Sequence, residues 1–284
     1  MQLNDVLNKS IQFFKDKKIE SARLDAELLI SHALKIDRMS LYLKFDQPLS
    51  EIEITACREF VRRRSLGEPV AYIVQEKGFY GLNFFVEKGV LVPRPETEII
   101  IDEVLDFVKK EKIEAPTILD LGTGTGCIGF SILKNIPAAQ LIAVEKSELA
   151  QNIFLKNAQA LNLNDRVTLI KSDVESVDFL KLEKFDCIVS NPPYIDVNDF
   201  RVQKSVRDFE PEMALFANDR GFSLLKSWSE LAKHNLTDGG LMMFEIGLDQ
   251  GAEMQIHFQN LNAFKNISVV KDLSGLDRFI KAVR

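Results

Sequence analysis

From Pro116 to the C-terminus the chain alternates short apolar runs with helix-length amphipathic stretches, and this alternation restricts the possible folds more than any other feature. Strands are predicted in TILDL, QLIAVE, VTLIKSD, FDCIVS, GLMMFEIG, ISVVKD and RFIKAV, with helices between most of them, notably SELAQNIFLKNAQALN and GFSLLKSWSELAKHN. Apolar strands joined by helices imply an α/β, doubly wound, mainly parallel sheet covered on both faces. Such sheets bind ligands outside the carboxyl ends of their strands, near the point where strand order reverses. The loops that leave each strand are therefore the places to look for chemistry.

The first strand runs into Gly122-Thr123-Gly124-Thr125-Gly126 and then into the helical CIGFSILKN. Alternate glycines let the backbone turn tightly and bring its N–H groups to a ligand, and the helix N-terminus adds positive potential. A dinucleotide fingerprint needs glycine where Cys127 stands, and no phosphate-loop lysine follows, so the loop suits a smaller nucleoside ligand. Glu145 ends the second strand, 21 residues after Gly124, where a carboxylate can accept both ribose hydroxyls. Asp173 and Val174 end the third: the acid can accept from an adenine amino group while the apolar neighbour packs on the ring.

The fourth strand exits through Asn191-Pro192-Pro193-Tyr194. Two prolines can simply terminate a strand, since each lacks an N–H and fixes its own φ. They also leave fixed acceptors behind. Asn191 is pushed to an extended conformation by the following proline, so its side-chain oxygen and the Pro192 carbonyl can accept both hydrogens of a conjugated NH2 group, with Tyr194 as a flat wall. Adenine N6, guanine N2 and a glutamine amide all fit that description.

The first 70 residues read as short helices. Leu3, Val6, Leu7, Ile11 and Phe14 stripe one helix face, Ser21 stands at an N-cap position before a helix with Leu24, Leu28 and Leu34 on a common side, and Ser50 with Glu53 forms a capping box. That third helix is expected to stop at Gly67. From Ala71 to Val92 an aromatic, glycine-punctuated run predicts a hairpin, and Pro95 with the acids after it starts the next helix.

The net charge is −6; residues 1–75 carry 12 Lys and Arg against 11 Asp and Glu, which leaves −7 for the remainder. That balance argues against a protein that grips a long stretch of nucleic acid. Three scattered cysteines make neither a disulfide framework nor a zinc site, and His32, His234 and His257 have no metal-like spacing. With no membrane-length apolar run and no signal-peptide pattern at the start, a cytoplasmic location is expected.

GEPVAYI (67–73), LVPRPETE (91–98), ILDLGTGTGCI, VSNPPYI and DFEPEMALFA (208–217) occur in this order. From residue 116 onward the chain resembles class I methyltransferases, and as a set the motifs resemble the HemK family of protein-glutamine N5-methyltransferases. The resemblance implies methyl transfer from S-adenosyl-L-methionine to the glutamine of the Gly-Gly-Gln motif in class I peptide chain release factors, with S-adenosyl-L-homocysteine as product and no metal. It implies a seven-stranded class I methyltransferase sheet and three segments: a helical substrate-docking domain (1–70), a hairpin linker (71–95) and a catalytic domain (96–284). Gly122 to Gly126, Glu145, Asp173, Val174 and Asn191 would hold the cofactor; Asn191 and Pro192 would be catalytic; Asn191 to Tyr194 would hold the glutamine amide. A monomer whose partner is the release factor is expected, with no membrane and no direct nucleic-acid substrate. Two departures stand out: Val74 to Phe79 lacks the family's usual Thr-Gly pair, and Val174 replaces a common aromatic. A sister group that methylates a ribosomal-protein glutamine, and amino methyltransferases of nucleic acid, are the alternatives. Arg94, Glu96 and Glu98 are either helix-start charges or part of the cofactor site, and Glu245 has no assigned role.

Overall fold

The computed structural model describes residues 1–284, which divide into two compact units: residues 1–76 with 202–209, and residues 77–201 with 210–284. No helix is long and apolar enough to cross a membrane.

The first unit is helical, with helices Leu3–Asp16, Ala22–Leu34, Arg38–Leu43, Glu51–Ser65 and Val70–Val74. Leu3, Val6, Leu7 and Phe14 are buried as their spacing predicts. The second helix differs from expectation. Leu24 is 44% exposed, and the buried stripe is Ala22, Ala26, Leu29 and Ile30. The small alanines turn inward beside Asp25, whose carboxylate is held by Arg64 Nε at 2.7 Å, and that fixes the face. Ser21 occupies the N-cap position but its side chain makes no capping bond, whereas Ser50 and Glu53 form the reciprocal box. Gly67 follows the fourth helix with φ +100°, as a left-handed terminator should.

The hairpin is shorter than the sequence suggests. Residues 70–74 are helical, and only β1 (Glu76–Phe79) and β2 (Leu82–Phe85) pair, joined by Tyr80 and Gly81, both at positive φ. Two consecutive positive-φ residues give the twist a two-residue hairpin needs. Residues 86–92 are irregular instead of strand. Pro95 opens a short 3-10 turn that leads into the helix Glu98–Glu111.

The main sheet contains β3 (Thr117–Leu121), β4 (Gln140–Glu145), β5 (Val167–Lys171) and β6 (Phe185–Ser190). After a two-stranded pair, β7 (Ile195–Asp196) with β8 (Phe216–Ala217), it is completed by β9 (Leu236–Glu245), β10 (Lys265–Lys271) and β11 (Asp277–Val283). The order is β10-β11-β9-β6-β3-β4-β5, parallel except for β11, which is antiparallel to both neighbours. This is the doubly wound class I methyltransferase fold. Central strands are buried almost throughout, as parallel sheets require. Leu119, Ile188, Met242, Phe244, Trp228 and Phe258 belong to the core on one side. The chain runs outward from β3 through β4 to β5, then returns to β6 on the other flank, so strand order reverses between β3 and β6.

Candidate active site

Register places the site. Leu121 pairs with Val144 on one side and with Ser190 on the other, and Ser190 pairs with Phe244. The residues that follow, Glu145, Gly122, Asn191 and Glu245, therefore emerge in one row at the carboxyl edge of four adjacent strands, across the reversal point.

The glycine loop is built by local bonds. The N–H groups of Gly122 and Thr123 both donate to the Val144 carbonyl, at 2.9 and 3.1 Å, and the Thr123 hydroxyl donates to Asp120 Oδ2 at 2.6 Å. Gly122, Gly124 and Gly126 all have positive φ. At Gly126 the requirement is strictest: φ is +82°, and a Cβ would lie 2.2 Å from the Phe130 ring. Thr125 is buried and its carbonyl accepts from Asn157 Nδ2 at 2.9 Å.

Glu145 is 8% exposed, and its two oxygens accept the N–H of Gly124 at 2.9 Å and of Ser147 at 2.8 Å. Each carboxylate oxygen still has a second lone pair for a ligand hydroxyl. Asp173 Oδ1 accepts from the Glu175 N–H at 3.1 Å, and Oδ2 pairs with Lys146 Nζ at 3.0 Å. Burial raises the Asp173 carboxyl, but Lys146 and the Glu175 N–H outweigh it and hold the group below its ordinary range. Val174 is buried beside it.

Asn191 Nδ2 donates to the Thr97 hydroxyl oxygen at 3.3 Å; Thr97 in turn donates to Glu245 Oε2 at 2.5 Å, and the Tyr194 hydroxyl donates to Glu245 Oε1 at 2.8 Å. No backbone donor bonds the Pro192 carbonyl. Asn191 and Thr97 border a cleft of about 1020 Å³, open solvent at its mouth included. Gly122 to Thr125, Glu145, Asp173, Val174, Asn191 and Pro193 line it. Gly126, Pro192 and Tyr194 do not; the Tyr194 ring packs against the sheet core and its hydroxyl is engaged by Glu245.

Two family models match the chain: the PrmC N-terminal domain over residues 5–74 and the methyltransferase small domain over residues 102–208. A release factor glutamine methyltransferase from Rhodopirellula baltica is 39% identical over 280 residues, which covers 97% of this chain and 94% of the relative. One from Leptospira interrogans is 39% identical over 283 residues, covering 98% and 97%. The chain belongs to the release factor glutamine methyltransferase family. A methyltransferase structure from Pyrococcus furiosus, 17% identical with a TM-score of 0.50, covers 72% of this chain and 89% of its own and shares the fold.

Membership in this glutamine methyltransferase family implies a methyl donor, and the cleft fits a nucleoside carrying a positively charged arm. Gly124 has open space where a Cβ would stand, the Glu145 and Asp173 carboxylates line the cleft, and Val174, Ile128 and Leu224 supply apolar wall. One lining segment escapes sequence reading. Gly89, Val90 and Leu91, expected within the hairpin, form the irregular segment at the cleft. Arg94 lines the cleft and pairs with Glu210 at 2.6 Å; the other Glu210 oxygen accepts the Val92 N–H at 3.1 Å, so this buried acid pins the segment down. Glu98 accepts the Tyr80 N–H at 2.8 Å and so holds the hairpin turn, while Glu96 is exposed. The only advance signal for Glu210 was its place inside DFEPEMALFA.

Proposed function

We propose that the cleft takes S-adenosyl-L-methionine and that the enzyme methylates the side-chain amide nitrogen of the glutamine in the Gly-Gly-Gln motif of class I peptide chain release factors. The observation that carries this reading is the row at the carboxyl edge, which sets Asn191 one strand away from the glycine loop and two from Glu145. Gly122 to Gly126 would turn around the amino acid part of the cofactor, Glu145 would accept the ribose hydroxyls, and Asp173 with Val174 would meet the adenine. When bound, the cofactor supplies a methyl group on positively charged sulfur.

Asn191 Oδ1 and the Pro192 carbonyl would accept the two amide hydrogens, with Pro193 and Tyr194 completing the loop. An amide nitrogen is a poor nucleophile because its lone pair is delocalised. Two fixed acceptors hold it in one orientation, favour pyramidal geometry and face the positive charge that develops on it. Positioning of this kind can supply up to about 7–11 kcal/mol in well-oriented systems. The helical segment 1–70 would dock the release factor, and the net charge of −7 over residues 76–284 disfavours a nucleic-acid substrate.

Incubation with methyl-labelled cofactor and a purified release factor is expected to label the Gly-Gly-Gln glutamine. Equal labelling of a substrate with alanine at that glutamine would refute the assignment. Asn191→Ala is expected to slow transfer roughly 5- to 150-fold, from the loss of about 1–3 kcal/mol of positioning, with cofactor affinity changed much less.

A further inference from the structure

An asparagine amide has two nearly equal ends, and only one of them can accept from a substrate NH2. Rotation of the Asn191 side chain by 180° would present donors to donors. What selects the productive end lies outside the Asn-Pro-Pro-Tyr loop.

Glu245 is 1% exposed and Thr97 2% exposed. An ionised carboxylate can only accept, and a hydroxyl has one hydrogen to give. Because Thr97 spends that hydrogen on Glu245 Oε2, its oxygen can serve Asn191 only as an acceptor. The Asn191 end that faces Thr97 must then be the NH2, as the 3.3 Å contact has it, and the carbonyl end is turned away. The second Glu245 oxygen takes the Tyr194 hydroxyl, so one carboxylate ties both ends of the four-residue loop. Polarity thus passes from Glu245 through Thr97 to Asn191 in a single direction. Burial, with Glu96, raises the Glu245 carboxyl above its ordinary range, while the Thr97 and Tyr194 hydroxyls and Arg278 pull it back toward the charged form in which it can only accept.

We propose that Thr97 and Glu245 are positioning residues that set the Asn191 amide with its oxygen available to the target nitrogen. This inference rests on the reading that Asn191 holds the target amide. It assigns Thr97 a task that its place at a helix start does not suggest, and it gives Glu245 a function without contact to the substrate.

The test compares Thr97→Ser, which keeps the hydroxyl, with Thr97→Val, which removes it at nearly constant volume, in the full-length enzyme with the release factor as substrate. At saturating cofactor Thr97→Val is expected to lower kcat about 5- to 30-fold, with S-adenosylhomocysteine affinity by calorimetry within about twofold, and Thr97→Ser is expected to restore most of the rate. Combined with Asn191→Ala, Thr97→Val should cost less than about twofold more, because its effect passes through a group already removed. Should the valine variant not fold, Thr97→Ala carries the same comparison. Wild-type kcat in a folded hydroxyl-free variant, beside a slow Asn191→Ala, overturns the inference and leaves the reading of Asn191 standing. Independent, multiplicative losses overturn it too, as does weakened cofactor binding with kcat intact. A wild-type rate in Asn191→Ala instead overturns the underlying reading.

Discussion

Gly221 provides a sharp test of how the acceptor loop is held. Its φ is +89°, and a Cβ there would lie 2.0 Å from the Tyr194 carbonyl oxygen, 2.7 Å from its carbon and 2.8 Å from Gln250 Nε2. Gln250 Nε2 donates to that same carbonyl at 3.0 Å, while its own Oε1 accepts the Gly247 N–H at 2.8 Å. Carbon and oxygen rest at about 3.3 Å, so alanine would force the carbonyl at the end of Asn-Pro-Pro-Tyr back by about 1 Å. The left-handed backbone costs a non-glycine residue about 1–2 kcal/mol, and the lost Gln250 bond about 1 kcal/mol more. A stability loss of about 2–4 kcal/mol is expected for Gly221→Ala by urea unfolding. Misplacement by 1 Å near the reacting groups can cost on the order of 100-fold in rate, so single-turnover methyl transfer at saturating cofactor should fall by one to two orders of magnitude, roughly. Gly275→Ala is the control: φ is +77° but a Cβ meets nothing within 4 Å, so only the strain remains and transfer should be unaffected. If Gly221→Ala loses less than about 1 kcal/mol and transfers at the wild-type rate, the loop is not held as argued.

Two further predictions concern the frame of the cleft. Burial pushes the Asp120 carboxyl up to about 7, helped by the Glu145 charge and opposed by the Thr123 hydroxyl and the Gly129 backbone; because this lies above the unfolded value of about 4, the stability it contributes is present below about pH 4 and lost as pH rises through about 7. Wild-type unfolding free energy should therefore drop by up to about 4 kcal/mol over that window, and Asp120→Asn should flatten the slope between about pH 4 and 7; an unchanged slope would refute the assignment. Asn157, 1% exposed, donates to the Phe85 and Thr125 carbonyls at 3.1 and 2.9 Å and accepts the Phe85 N–H at 2.8 Å. Asn157→Ala should cost about 2–4 kcal/mol in urea unfolding and loosen cofactor binding through the glycine loop, and a loss below 1 kcal/mol, roughly the worth of a single hydrogen bond, would show that water replaces the amide.

Signals confined to a few residues were legible in the sequence. The strand-length runs, the GTGTG turn and the Ser50 capping box each rest on neighbours within one turn or one strand, and they recur in the structure where the pattern puts them. The second helix departs from its leucine pattern: Ala22 and Ala26 turn inward and Leu24 faces solvent. The run 86–92 has strand composition, yet it forms the irregular edge of a cleft, so the hairpin is shorter than its pattern. Thr97 was invisible for a different reason: its partners Asn191 and Glu245 are 94 and 148 residues away in the chain, and nothing local distinguishes it from an ordinary helix-start residue.

Glu245 is not accounted for as a stability element. Burying a carboxylate costs several kcal/mol even after relaxation, and its raised pKa, caused first by burial and only partly offset by Thr97, Tyr194 and Arg278, records that cost. An apolar residue at the end of β9, with valine and phenylalanine in place of the two hydroxyl partners, would fill the same core without it. What an apolar trio could not do is distinguish the two ends of an amide. In its ionised form, which Thr97, Tyr194 and Arg278 favour against burial, Glu245 has no hydrogen to give and so imposes direction on a hydroxyl, and through it on Asn191. Direction, and not cohesion, is the property that accounts for a charge at this place in the sheet.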